Sequence, residues 1–194
     1  MKKLKSSLQN MTLVMTIVAA ITGGLLAFVN HATEPSIKKQ QEKNISDGIV
    51  SVMADEKTVV AKTDTATVNT DGKQQTFILH HTTDADGNES GVAIESETQG
   101  FGGKLRILVG FNTKGDILGY TILETSETPG LGAKADTWFQ KDGKGCIVGK
   151  NPASTRMGVT KGNEGDIDAI TASTITSRAF LKAVQQAFEM IKQK

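Results

Sequence analysis

The chain has 194 residues, a net charge of +1 and a single cysteine, Cys146. That length suits one domain with an appendage, the lone thiol excludes an intrachain disulfide, and the charge gives no sign of a polyanionic partner. Lys2, Lys3 and Lys5 are the only charges in residues 1–30; without them the rest carries −2, which argues against binding nucleic acid through phosphate neutralisation.

The first element follows those lysines. Residues 11–29, MTLVMTIVAAITGGLLAFV, contain no charge. As a helix they span roughly 28 Å, close to the hydrocarbon thickness of a bilayer at about 30 Å. The segment is apolar on every side, which disfavours a core helix. It is also longer than the apolar region of about 7–15 residues in a cleaved signal peptide, and Asn30-His31-Ala32 is a poor cleavage site. An uncleaved single-pass anchor is predicted. Lysines before it and no basic cluster directly after it place residues 1–10 in the cytoplasm and the bulk of the chain outside.

Pro35-Ser36 opens a polar stretch in which Ile37, Ile45, Ile49, Val50 and Met53 recur at helical spacing, interrupted by Gly48. This predicts a juxtamembrane helix over 36–53, within a helix-and-linker region at 30–58. From residue 59 the pattern turns to strands. TVVAKTDTATVNT and QQTFILHHTTD are β-branched or alternating, with Asp71-Gly72 as the hairpin signal between them. Asp86-Gly87-Asn88 marks the next turn, and GVAIESETQGFGG leads into the clearest hairpin, KLRILVGF and ILGYTILE joined through Gly115. A short element is expected around Trp138 and Phe139, and a strand at GKGCIVG. The last element is a helix over 174–192. Ile175, Ala179, Ala183, Val184, Ala187, Phe188 and Ile191 form one apolar stripe, and Lys192 sits at the negative end of the dipole. Strands and helices do not alternate regularly. The fold class is therefore α+β, a mainly antiparallel sheet with a packed C-terminal helix.

Several features that could signal chemistry read as structural. His80 and His81 are neighbours in a predicted strand and point to opposite faces. Cys146 has no second cysteine at CxxC spacing. Gly100-Phe101-Gly102-Gly103 precedes a strand rather than joining a strand to a helix. It reads as a turn or as backbone passing close to a ligand. Glu127-Thr128-Pro129-Gly130-Leu131-Gly132 reads as a turn in which Pro129 fixes φ and Gly130 takes positive φ. Equally, it is a nearly side-chain-free wall for a flat ligand, with Leu131 as an apolar cover. The segment DAITASTITS is the most pointed. Thr171, Ser173, Thr174, Thr176 and Ser177 crowd five hydroxyls into seven positions at a helix start. One hydroxyl suffices as a cap. The first turn of a helix also binds phosphate through free amides and the dipole, Ala172 allows close approach, and a threonine alcohol can itself be esterified.

Three segments, GFGGKLRILVGFNTKGDILGYTILE, ETPGLG and DAITASTITS with the terminal helix, follow a basic N-terminus and one span. In that order they resemble the RnfG family, the G-type component of the Rnf complex, which is the ion-translocating ferredoxin:NAD⁺ oxidoreductase of bacterial membranes. More distantly the chain is similar to NqrC, the corresponding component of the sodium-pumping NADH:quinone reductase. The resemblance covers nearly the whole chain. It implies that 59–194 is an extracytoplasmic FMN-binding domain anchored in the cytoplasmic membrane. FMN would be joined through its phosphate to a threonine in a motif that Thr171, Ala172, Ser173 and Thr174 fill, with Thr174 as the attachment point. Ala172 stands where glycine is commoner, and Ser173 where alanine is. Asp168 occupies the upstream acidic position of the target of a Mg²⁺-dependent flavin transferase that uses FAD. Glu127, Thr128, Gly130, Leu131 and Gly132 become candidate flavin contacts, with the amides near Ile175, Thr176 and Ser177 at the phosphate. The implied role is an electron carrier between other membrane subunits, within electron flow between ferredoxin and NAD⁺ coupled to Na⁺ or H⁺. The alternatives are a component of the quinone reductase, an anchored flavin-binding assembly protein without redox turnover, and a free-standing flavin reductase.

Overall fold

The computed structural model describes residues 8–55, 57–70 and 73–192. The lysines at 2, 3 and 5 and the Asp71-Gly72 turn lie outside the described residues. Two compact units are present, residues 1–43 and residues 44–194.

Helix α1, Leu8–Met53, continues through Pro35. The break expected between the apolar stretch at 11–29 and the helix over 36–53 is absent, and both lie on one helix. Proline removes one backbone donor and crowds the preceding turn. The flanking residues nevertheless sustain the helix. Thr33 donates to the carbonyl of Val29 at 2.9 Å, and Lys38 pairs with Glu34 across the proline at 2.7 Å. Within the first unit the apolar stretch buries no face, with Leu13, Ile21, Leu26 and Phe28 all exposed. It is long and apolar enough to cross a membrane.

The second unit begins with the end of α1, where Ala54 takes φ +55 and stops the helix. Five strands follow: β1 Val59–Thr70, β2 Lys73–Thr83, β3 Glu89–Gln99, β4 Lys104–Asn112 and β5 Ile117–Thr125. They form an antiparallel sheet in sequential order. A short helix α2, Ala135–Trp138, and the terminal helix α3, Thr174–Lys192, complete the unit.

Each face of the sheet has its own packing. Phe77, Ile94, Leu105, Ile107, Val109 and Phe111 meet Phe180, Leu181 and Val184 of α3 in the main core. Phe180 also stacks on Phe139, ring centroids 4.4 Å apart, and meets Tyr120 edge-on at 4.8 Å. The opposite face packs Ala93 and Leu108 against Ile49, Val52 and Met53. Gly110 makes that approach possible, because a Cβ there would stand 2.5 Å from the Val52 carbonyl oxygen.

The strand expected at GKGCIVG is absent. The amide of Gly145 donates to Trp138, that of Cys146 to Gly143, that of Ile147 to Phe139 and that of Gly149 to Ile117. One of these bonds closes a turn within the segment and the others are split between α2's end and the start of β5, so no ladder forms. The segment is a string of turns tied down mainly by buried Ile147. His80 and His81 do take opposite sides. His80 Nε2 meets Glu95 at 2.9 Å, whereas His81 meets Asp64 at 3.3 Å.

Candidate functional site

The antiparallel register brings the end of β3, the start of β4 and the end of β5 to one end of the sheet, through Gln99 opposite Lys104 and Leu105 opposite Thr125. Thr98 donates to the Ala179 carbonyl at 3.0 Å and draws the beginning of α3 to the same end. Three connecting segments therefore converge there.

The first is the 100–103 turn, closed by the Gly100 amide on the Gly103 carbonyl at 2.8 Å. The second is the loop after β5. Leu131 donates its amide to the Thr128 carbonyl at 3.1 Å, with Pro129 and Gly130 between them and Gly130 at φ +77. Proline followed by a positive-φ glycine inside a four-residue turn is the pattern of type II. Glu127 ties the two segments together. Its carboxylate is buried, and Oε1 accepts the Phe101 amide at 2.7 Å. Its two oxygens lie where side chains at Gly100 and Gly132 would project. A Cβ on Gly132 would in addition stand 2.8 Å from Thr176 Oγ1.

The third segment is the mouth of α3. Ile170 accepts the Ser173 amide at 3.0 Å, and Ala172 takes φ +63 to turn the chain into the helix. Ser177 is consumed by this entry: its amide, expected at the phosphate, instead donates to the Ser173 carbonyl at 3.0 Å as the first helical bond. Its hydroxyl donates to the Ser173 carbonyl at 2.9 Å and accepts the Ile170 amide at 3.0 Å. The other four hydroxyls, those of Thr171, Ser173, Thr174 and Thr176, have no hydrogen-bond partner among the described residues. Nor do the amides of Thr174, Ile175 and Thr176. The helix geometry offers these amides no carbonyl of their own.

A cavity of about 300 Å³ lies among the three segments. That is the lower end of the range for small-molecule sites, about 300–1,000 Å³. Of the residues singled out in the sequence, Glu127, Thr128, Leu131, Gly132, Ala172, Ser173, Thr174, Ile175 and Thr176 line it. Gly130 and Thr171 do not; both are exposed, Gly130 at the turn apex and Thr171 ahead of the helix entry. Phe101 also lines the cavity, and sequence reasoning, which picks out its glycine turn, does not pick out its side chain. The signal for it is a large aromatic inside a glycine turn, where no core requires one.

This lining suits an amphipathic ligand with an anionic end. Unpaired amides and hydroxyls at a helix N-terminus match a phosphate, and Leu131, Ile175 and Phe101 match a flat apolar ring. Among the described residues no group of three His, Cys, Asp or Glu is placed to hold a metal ion.

The FMN-binding domain family matches residues 100–189, which include every residue lining the cavity, and the RnfG N-terminal region matches residues 1–47. A Shewanella baltica protein, named as the G subunit of an ion-translocating oxidoreductase complex, is 33% identical over 184 residues, covering 89% of this chain and 84% of that protein. A protein of the same name from Vibrio parahaemolyticus is 31% identical over 188 residues, covering 93% and 88%. The crystal structure of Shewanella oneidensis NqrC is similar with a TM-score of 0.47 and 20% identity, over 67% of this chain and 70% of that one.

Proposed function

The chain belongs to the G-subunit family of ion-translocating oxidoreductase complexes, and from that membership we propose that it is a membrane-anchored electron carrier holding FMN in the cavity at the mouth of α3. The observation that carries this reading is the set of unpaired donors there: three amides and the hydroxyls of Ser173, Thr174 and Thr176 around one cavity. Bound FMN would supply one- and two-electron redox chemistry that the side chains lack. The protein's part is to bind, orient and shield. The amides of Thr174, Ile175 and Thr176 would hold the phosphate, Leu131 and the 128–132 turn would wall the ring, and Glu127 holds the turns in register.

Thr174 is the attachment point. The residue is half-buried, and its hydroxyl is unpaired and adjacent to the free amides. A flavin transferase would present FAD. The Thr174 oxygen then forms the phosphoester bond as the pyrophosphate bond breaks, and AMP leaves with the threonine proton. Asp168, which accepts from Thr160 Oγ1 at 3.0 Å, stands upstream within the segment such an enzyme would recognise. By family, the electrons pass between neighbouring subunits of an Rnf-type complex working between ferredoxin and NAD⁺, coupled to Na⁺ or H⁺ movement. The domain would face the extracytoplasmic side of the bacterial cytoplasmic membrane.

Denaturing mass spectrometry of the full chain, produced with its transferase, tests the attachment. The expected mass is the polypeptide plus one FMN less one water. Thr174→Val should return the unmodified mass, and Thr174→Ser should keep a substantial share of the added mass. An unmodified wild-type chain would overturn the proposal.

A further inference from the structure

In the second unit, five large apolar side chains stand exposed among the described residues: Val59, Val60, Phe101, Leu131 and Ile175. Val59 and Val60 begin an edge strand. The other three come from three separate segments and all line the one cavity. Single exposed apolar residues need no explanation, but three around one opening do.

Phe101 is the extreme case, with 71% of its surface exposed. Its backbone is nevertheless held firmly. The amide donates to buried Glu127, and the turn is closed by the bond from Gly100 to Gly103. Gly100 and Gly102 flank it and have no side chains to shelter the ring. Gly102 cannot gain one, since a Cβ there would stand 2.9 Å from the Ser126 carbonyl carbon. The main core holds its own phenylalanines, and Phe101 is not among them. A pinned backbone with a bare ring beside a cavity gains nothing for folding. It suits an aromatic surface waiting for a planar partner.

We propose that Phe101 is the stacking platform for the isoalloxazine ring and positions it against the Leu131 side of the cavity; this rests on the FMN reading above. Offset aromatic stacking complements a flat ligand that leucine and isoleucine bound only by area. Glu127 thereby gains a second consequence, since its hydrogen bond to the Phe101 amide fixes where the platform stands. Phe101 is a positioning residue: it touches the ring and takes no electron in the carrier's work.

The test uses the full chain in detergent, loaded by its transferase, as wild type, Phe101→Trp, Phe101→Ala and Phe101→Leu. Denaturing mass spectrometry and emission from the attached flavin are measured on the same samples. An indole in stacking contact donates an electron to the photoexcited ring and receives it back, with no net chemistry, so emission is lost. Phe101→Trp should therefore dim the attached flavin several-fold relative to wild type, with denaturation restoring the emission. Phe101→Ala should increase quenching by iodide and lower the fluorescence anisotropy, with about two- to tenfold more of the ring in the open state. Phe101→Leu, which keeps apolar area without an aromatic face, should fall between. Full loading with undimmed Trp emission and unchanged iodide access in the Ala variant would overturn the Phe101 assignment while leaving the FMN reading standing. A wild-type chain without added mass would overturn both.

Discussion

Ser177 turns its hydroxyl inward and makes two hydrogen bonds, while Thr174, three residues earlier, makes none among the described residues. At this scale the crowding of alcohols before α3 resolves into two jobs, closing the helix entry and lining the cavity. The residue types are legible in the sequence because capping and phosphate binding draw on the same short hydroxyls. The division is not legible, since it depends on which hydroxyls Ile170 and the Ser173 carbonyl reach. Ala172 likewise shows in the sequence only as a small residue, whereas in the structure it stands at φ +63. That conformation costs an L-residue with a Cβ roughly 1–2 kcal/mol, a cost glycine avoids. Ala172→Gly should therefore stabilise the second unit by about 1 kcal/mol after its greater unfolded-state freedom is counted. Thermal unfolding followed by circular dichroism should show a midpoint about 2–4 °C higher for a unit of this size. An unchanged or lower midpoint would mean that Ala172 does not sit in the left-handed region.

The elements that can be read in advance are those whose periodicity is dictated by one buried face. Helix α3 lies at Thr174–Lys192, where its apolar stripe places it, and β4 and β5 form the hairpin around Gly115. GKGCIVG misleads because Ile147 and Val148 resemble a strand, whereas glycines at 143, 145 and 149 let the chain turn back on itself. The sheet also holds a feature that the alternation pattern hides. Glu95 lies on β3, opposite Leu108 on β4, and is only 3% exposed. His80 Nε2 meets its Oε1, Thr63 Oγ1 meets His80 Nδ1 at 3.2 Å, and the Arg106 guanidinium donates to its other oxygen. Burial alone pushes the Glu95 carboxyl up. Hydrogen bonds from His80 and Arg106, with the charge of Arg106, more than offset this and hold it below its ordinary value of 4.5. A carboxyl with a lowered folded pKa adds stability above its unfolded pKa and loses it as pH falls through the folded value. Glu95→Gln should therefore cost about 2 kcal/mol or more near neutral pH, where it strands the partly buried Arg106 charge. The gap from wild type should narrow as pH falls below about 4.5. Urea unfolding across that range measures both, and a constant gap would show that the charge of Glu95 contributes nothing.

At the scale of the whole molecule, an apolar stretch with no buried face precedes a domain with a complete core of its own. The two parts ask for different solvents, a bilayer for the first and water for the second. The direction of insertion is legible only through charge. Lys2, Lys3 and Lys5 precede the apolar stretch, and the positive-inside preference predicts that they stay in the cytoplasm. With one crossing, residues 44–194 are predicted on the other side, where the proposed flavin attachment has to occur. Site-directed labelling decides the matter with little disturbance, because the chain has only one native thiol. Cys146 is half-buried, its sulfur 3.6 Å from the Val148 carbonyl, and Cys146→Ser gives a clean background. Ser154 is exposed in the turns between α2 and α3. In that background Ser154→Cys should react with a membrane-impermeant maleimide added to spheroplasts, without any need to breach the cytoplasmic membrane. Labelling that appears only after lysis would put the domain in the cytoplasm. The charge argument would then fail, and with it an extracytoplasmic flavin on Thr174, even though the cavity and its unpaired donors would remain as described.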